Sequence, residues 1–431
     1  MKYKVRKTPL LGKAISKEEY LIIGAGISGL MFGFYMKKKG IPFRIIEKSD
    51  KPGGLIKTIR LEGIGYAEQA ANGFIWCKEM QEIADGIGLE IQKPDAASKA
   101  RFLVRNNRMR RFPLGIMESL KVANKFFGKH DGRIETIEEF GLTFFGETFT
   151  KQVLEPALAG IYGASISKLS FEAILGGLAL EMNESDSLFK SVRAWRKKLK
   201  GQSNGEKKAS GTHSFKGGLG KLTEKLGEYL KEHIIYNADG ADYFNHQNPT
   251  IITTPAYIAA NILGGRMKNL LHLVEYTPII STTLFFKKED LPRFKEGFGC
   301  LIPRNEGRTI LGVLFNSCIF PDRVERDDLL SLTCIMRDDT GLVMGMNEAE
   351  ILEKYILQDL KALFGVEEAP LDYQMFKWKK GIPVYSPSLV KLWDELETEL
   401  ISNYPNVRLL GNYTGQISVR GMSQGIADIL S

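Results

Sequence analysis

The sequence predicts an α/β chain in which a parallel nucleotide-binding sheet is interleaved with a second, mixed β-sheet domain and a helical domain. Three observations carry this. The run Tyr20-Leu-Ile-Ile-Gly-Ala-Gly-Ile-Ser-Gly-Leu30 sets a short apolar strand before three glycines in G-x-G-x-x-G spacing. A second apolar run, Phe43-Arg-Ile-Ile-Glu47, ends in a carboxylate. A strand ending in glycine returns near the other end of the chain, at Val407-Arg-Leu-Leu-Gly411, so the last strand completes the first domain. Strand, glycine turn, helix, strand and acid in this order define a Rossmann-type dinucleotide unit.

Each part of that unit has a physical task. Gly24 permits the tight turn out of the strand, Gly26 lets the backbone approach a pyrophosphate, and Gly29 lets the helix pack closely on the sheet. Ile27 and Ser28 open the helix, whose free N–H groups and positive dipole end favour phosphate. Glu47 falls where a ribose hydroxyl is expected. After it the chain continues Lys48-Ser-Asp-Lys-Pro-Gly53-Gly54-Leu55. This second glycine pair resembles the flavoprotein form of the fingerprint, so FAD is the expected dinucleotide.

Further along, residues 1–19 read as a charged leader arm, and helical patterning dominates from about 76 to 186, including Ile137 to Leu158. His213 to Leu222 opens another helix, and Pro249 to Ala256 reads as a sheet strand ending in a turn. Short β-type runs follow at Ile279 to Phe286, Cys300 to Ile302 and Thr309 to Phe315, with a terminal helix from about Gly421. The expected division is therefore 20–75, 210–265 and 375–431 for the FAD domain, 76–208 for the helical domain and 266–374 for the substrate domain.

Composition narrows the function classes. Of 431 residues, 43% are hydrophobic and 26% charged, as in soluble globular proteins. Four cysteines form no C-x-x-C pair, which fits a reducing cytoplasm and argues against structural zinc. Five scattered histidines suggest no metal site. The net charge of +8 is concentrated between Phe189 and Lys208, where eight basic residues meet a single acid, Glu206. That segment reads as a solvated loop or, alternatively, as a patch for anionic lipid, helped by Trp195. No recognition module accompanies the charge, so nucleic acid is not expected. No segment reads as a membrane span.

Several stretches resemble the protoporphyrinogen and coproporphyrinogen oxidase family within the FAD-dependent amine oxidase and desaturase superfamily. They are Leu154 to Ser170 (LEPALAGIYGASISKLS), Ser214 to Leu219 (SFKGGL), Gly297 to Pro303 (GFGCLIP), Leu311 to Ser317 (LGVLFNS), Trp378 to Tyr385 (WKKGIPVY) and Gly411 to Gly415 (GNYTG). The resemblance spans Tyr20 to the end. It implies that Glu47 and Lys48 meet the adenosine ribose, and that Gly53, Gly54 and Leu55 line the pyrophosphate and ribityl region. Asn72 and Gly73 stand near the flavin, Gly411 opens the loop that closes over it, and Gln416, Ile417 and Ser418 run beside the ring. Arg101 matches an arginine that pairs with a substrate propionate, and Phe298, Leu301 and Ile335 match apolar residues that sandwich a tetrapyrrole. An arginine suits a carboxylate because its planar fork bonds bidentately.

The implied activity is oxidation of protoporphyrinogen IX or coproporphyrinogen III by hydride transfer to flavin N5, in heme biosynthesis, with oxygen or a quinone as final acceptor. No side-chain catalyst can be named, because the chemistry is the flavin's. Three departures from the family pattern stand out: Ala70-Ala71-Asn72 lacks a customary cation near the flavin, Arg337-Asp338 replaces a glycine pair, and Arg420-Gly421 replaces a terminal D-C. Alternatives are an amine oxidase or carotenoid-type desaturase, a flavin-dependent sugar-nucleotide mutase, or a degenerate scaffold. The expected location is the cytoplasm, with peripheral contact at the inner face of the membrane.

Overall fold

The computed structural model describes residues 2–6, 9–16, 18–111, 132–185, 187–201 and 211–430. A six-stranded sheet is built around the strand Tyr20–Ile23. This strand pairs in parallel with Phe43–Ile46 on one side and Thr250–Ile252 on the other. Val407–Leu410 and Ile234–Ile235 extend it outward, again in parallel. Apart from exposed Arg44, these strands are buried or half-buried, as expected of a sheet covered on both faces. The edge strand comes from the expected leader arm: Leu10–Leu11 pairs antiparallel with Leu409 and Leu410. Tyr3 is also buried, edge-on to Phe171, with its hydroxyl accepting from the Ile134 N–H at 2.8 Å. The described residues of this arm thus close the sheet and tie it to the helices instead of standing free.

The second sheet has seven strands, in the order Asp372–Pro383, Tyr276–Lys287, Leu329–Arg337, Ile310–Phe315, Gly299–Leu301, Arg101–Arg105 and Arg108–Arg111. The last two arise from the stretch expected to be helical. Arg101–Arg105 joins because Phe102 and Val104 alternate inward, and its backbone pairs in parallel with Gly299–Leu301. One face of this sheet, including Ile280, Leu284, Leu332 and Cys334, packs on the helical segments between Glu348 and Phe364. The opposite face carries Ile279, Ser281 and Ile335 and looks into a cavity.

The helical layer is broken into short segments. Thr136 starts Ile137–Phe144 with a capping box to Glu139. The chain then runs through Glu147–Phe149 and a wide-turned Thr150–Leu154 into Glu155–Tyr162, which ends at left-handed Gly163. The basic stretch is helical over Leu188–Gly201, whereas residues 202–210, with Glu206, Lys207 and Lys208, lie outside the described residues. Trp195 turns inward, so that a Cβ on Gly177 would stand 2.5 Å from its Nε1. The exposed face carries Phe189, Lys190, Arg193, Arg196, Lys197 and Lys198. Among the described residues no helix is long and apolar enough to cross a membrane. The four cysteines are free and buried, and burial pushes the Cys300 thiol up to about 12.

An ionic seam joins the two sheets. Arg323, in the loop after Ile310–Phe315, donates from Nη1 to Glu68 Oε1 at 2.8 Å, and both side chains are 1% exposed. Glu68 also accepts from the Leu219 N–H at 2.7 Å and from Thr58 Oγ1 at 2.8 Å. Beside them Asp322 accepts from the Tyr66 hydroxyl at 2.7 Å, Gly217 N–H at 2.9 Å and Gln92 at 2.8 Å. Burial alone would raise the Asp322 pKa, but these hydrogen bonds and the Arg323 charge hold it below the ordinary carboxylate range. Glu68→Gln keeps the shape but strands the buried guanidinium. It should cost about 3–5 kcal/mol, read as a lower urea midpoint with an unchanged slope. Because the Asp322 pKa is depressed on folding, its contribution is complete above the unfolded value of about 4 and is lost as pH falls through the depressed one. Wild-type stability should therefore drop below about pH 4, and Asp322→Asn should flatten part of that decline.

Candidate active site

The glycine loop forms a cradle. Gly24 sits at φ +107°, a conformation open to glycine, with its N–H bonded to Ile46 O at 2.8 Å. A Cβ on Gly29 would stand 2.1 Å from Gly24 O, whereas one on Gly26 would meet nothing within 4 Å. The helix Ile27–Lys38 has no side-chain cap at Gly26, which leaves its first N–H groups free for a phosphate. Gly53 closes on this loop through its N–H to Ala25 O at 2.8 Å, and a Cβ on Gly54 would lie 3.2 Å from Gly26 Cα. Glu47 accepts from Ala25 N–H at 2.7 Å and Ser49 N–H at 2.8 Å, so its carboxylate is held rigidly at the strand end. Exposed Lys48 pairs with Asp239 at 2.9 Å.

From the cradle a cavity of ≈ 430 Å³ runs between the two sheets. Leu55, Asn72, Gly73 and Ile417 line its nucleotide side, and Ile279, Phe298, Ile335 and Trp378 its sheet side, with Gly160 and Ile161 beside them. Among the described residues Arg323 is the sole ionisable group in the lining. Four lining side chains hold a buried polar atom without a partner: Asn72 Oδ1, Ser281 Oγ, Arg323 Nε and Trp378 Nε1. Buried polar groups are normally satisfied, so this set fits a polar heterocycle and its substrate. The open space at Gly26, the free helix end and these orphaned atoms together fit FAD. A larger open groove of ≈ 690 Å³, beside Phe34, Trp76 and Tyr229, holds no such orphaned atom.

The remaining expected residues lie around this cavity rather than in its wall. Gln416 and Ser418 shape the start of Val419–Leu430, where Ser418 Oγ accepts from Gly421 N–H at 3.0 Å. Gly411 donates to Thr414 Oγ1 at 3.1 Å in the preceding turn. Leu301 stands behind Gly160, 3.8 Å from the position of a Cβ there. Arg101 is exposed, its guanidinium 4.2 Å from the centre of the Phe298 ring. Where Ala70-Ala71-Asn72 lacks a cation, Arg323 supplies one from elsewhere in the chain, donating to Asn72 O at 2.8 Å. Arg337 donates to Gly163 O at 3.2 Å, and Asp338 accepts from the Gly341 and Met344 N–H groups, so this pair braces the loop beside the cavity. Sequence reasoning missed Arg323 and Ser281. An arginine after Pro-Asp reads as a surface turn, and only its buried partner reveals otherwise.

Family models match the chain twice: as an NAD(P)-binding Rossmann-like domain over residues 22–85 and as a flavin-containing amine oxidoreductase over 249–421. The fold and the site thus define an FAD-dependent oxidoreductase, whose second half matches the flavin-containing amine oxidoreductase model. The chain resembles the protoporphyrinogen and coproporphyrinogen oxidases. It is 26% identical to protoporphyrinogen oxidase 2 of Arabidopsis thaliana, with 94% of this chain and 92% of the relative covered. It is 23% identical to coproporphyrinogen III oxidase of Bacillus subtilis, with 92% and 93% covered. A crystal structure from Exiguobacterium, named for protoporphyrinogen oxidase, superposes with a TM-score of 0.77 at 17% identity, covering 96% of this chain and 98% of that one.

Gly26→Val tests the cradle. A Cβ there meets nothing within 4 Å and the residue's φ is −71°, so the fold should survive. The purified variant should be colourless, folded by circular dichroism and free of FAD after denaturation, whereas the wild type releases stoichiometric FAD.

Proposed function

We propose that this protein oxidises a porphyrinogen to the corresponding porphyrin, in heme biosynthesis. The observation that carries this reading is an apolar slot with no acid or base in its described wall other than Arg323, with an arginine at its edge. Such a slot suits a large apolar ring rimmed by carboxylates, and the names of the relatives point the same way. When bound, FAD supplies the two-electron acceptor, taking a hydride at N5. Loss of six hydrogens would require three such oxidations, each hydride matched by a proton released to water, and oxygen or a quinone would serve as final acceptor. Phe298 and Ile335 hold the ring flat, and Arg323, neutralised by Glu68, keeps a fixed positive end beside Asn72. Catalysis rests on positioning, since close face-on approach is what hydride transfer needs.

Anaerobic mixing of the holoenzyme with protoporphyrinogen IX and with coproporphyrinogen III should bleach the flavin with at least one of them. Bleaching by an amine or a polyene alone would overturn the proposal. Arg101→Ala should weaken substrate about ten- to a hundredfold through loss of a charge-assisted contact, with the flavin spectrum intact. Arg101→Lys should recover part of the loss.

We also propose that the protein meets an anionic membrane surface through the exposed basic face of Leu188–Gly201, with Phe189 in place of the inward-turned Trp195. Each cation near such a surface contributes about 1 kcal/mol, screened over about 8 Å at physiological ionic strength. The protein should sediment with phosphatidylserine vesicles at low salt, and replacing Arg193, Arg196 and Lys197 with Gln should release it.

A further inference from the structure

We infer that Ser281 and Trp378 form a neutral two-donor subsite, which takes an acceptor oxygen on an acidic arm of the substrate inside the cavity. This rests on the reading of the cavity as the place where an oxidisable ring meets the flavin. Ser281 lies on the central strand Tyr276–Lys287 and is 3% exposed. Trp378 lies on the adjacent antiparallel strand Asp372–Pro383, opposite Ile279. The two are therefore diagonal neighbours on one face, about 7–8 Å apart at the backbone and within reach of one bound group. Both line the cavity, and neither Ser281 Oγ nor Trp378 Nε1 has a partner.

Polar groups on the same face of this sheet behave differently, although Thr282 Oγ1 on the opposite face is also unpartnered. Thr283 Oγ1 is 2.8 Å from Thr333 Oγ1, and Asn316 Nδ2 donates to Thr333 Oγ1 at 2.7 Å and Ser331 Oγ at 3.1 Å. These groups satisfy one another, Asn316 included although it lines the cavity, whereas Ser281 stands at the cavity wall unpaired. Leaving a buried hydroxyl and an indole N–H unsatisfied is costly, and a single guest group that accepts from both removes that cost. An indole N–H can only donate, so the guest atom is an acceptor. The described lining holds no carboxylate that would repel an anion. A carboxylate arm accepts two donors readily, and neutral donors bind it without presenting a second buried charge. Arg101, outside the lining and exposed, then holds a different arm at the rim. An acidic ring with carboxylates on separated edges satisfies both positions.

The test uses FAD-loaded protein and two probes: coproporphyrin III, followed by fluorescence quenching, and benzoate, followed by perturbation of the flavin spectrum. Ser281→Ala and Trp378→Phe should each raise the dissociation constant for coproporphyrin about tenfold, the loss of one hydrogen bond to a charged acceptor, with FAD content unchanged. Thr283→Val, which removes a satisfied hydroxyl next door, should leave that constant unchanged. Unaltered coproporphyrin binding in both variants overturns the subsite. So does loss of FAD or a shifted flavin spectrum with porphyrin affinity intact, since the flavin's own carbonyl would then occupy the two donors. If wild type ignores coproporphyrin yet binds benzoate with the same dependence on Ser281 and Trp378, the porphyrinogen reading falls and the subsite stands. Binding of neither probe overturns both.

Discussion

The ion pair between Arg323 and Glu68 is the constraint on which the cavity depends. Taking two charges out of water is costly, and their attraction offsets this only when the remaining polar atoms are also engaged. Here they largely are: Glu68 accepts from Thr58 and Leu219 as well, and Arg323 reaches Asn72 O while its guanidinium lies 4.8 Å from the centre of the Tyr66 ring. Glu68 belongs to the nucleotide-binding half and Arg323 to a loop of the seven-stranded sheet. The pair therefore fixes the distance between the two walls of the cavity, one from the nucleotide-binding half and one from the seven-stranded sheet. A hydrophobic contact at this junction would be non-directional and would tolerate sliding. A charged, hydrogen-bonded pair permits one geometry.

That geometry explains how the chain manages without a cation at Ala70-Ala71-Asn72. The position is local in sequence, but a guanidinium from residue 323 is brought beside it in space, donating to Asn72 O. The substitution of Arg337-Asp338 for a glycine pair works in the same way. Arg337 reaches the end of Glu155–Tyr162 at Gly163 O, and Asp338 caps the turn that follows its own strand. Both departures change which residues hold the walls, while the apolar lining at Phe298 and Ile335 remains.

The cavity wall also accounts for a division of labour. With no carboxylate, imidazole or thiol among its described lining residues, the protein supplies placement and a fixed field, and the redox step belongs to the cofactor. The polar atoms left open there are a hydroxyl, an indole, an amide oxygen and one guanidinium nitrogen. These groups orient a guest without taking a proton from it at neutral pH.

What the sequence determined by itself was the cofactor unit and the class of enzyme. Gly24, Gly26, Gly29, Glu47 and the Gly53-Gly54 pair act through local backbone geometry, and that geometry is encoded within a few residues of each. Phe298 and Ile335 were named through the resemblance, Phe298 within the short stretch Gly297 to Pro303, and the structure sets both in the cavity wall. Tertiary structure alone decided the rest. Leu10–Leu11 and Arg101–Arg105 are too short and too charged at their flanks to announce themselves as strands, and they become so because a sheet edge waits for each. Trp195 faced inward because Gly177 leaves room for it, which no amphipathic pattern reports. Arg323 looks like a solvated turn residue until Glu68, 255 residues away in the chain, is brought within 2.8 Å. Pairings between charges far apart in sequence carry no local signature, because their energy exists only once the two halves of the fold have excluded the water between them.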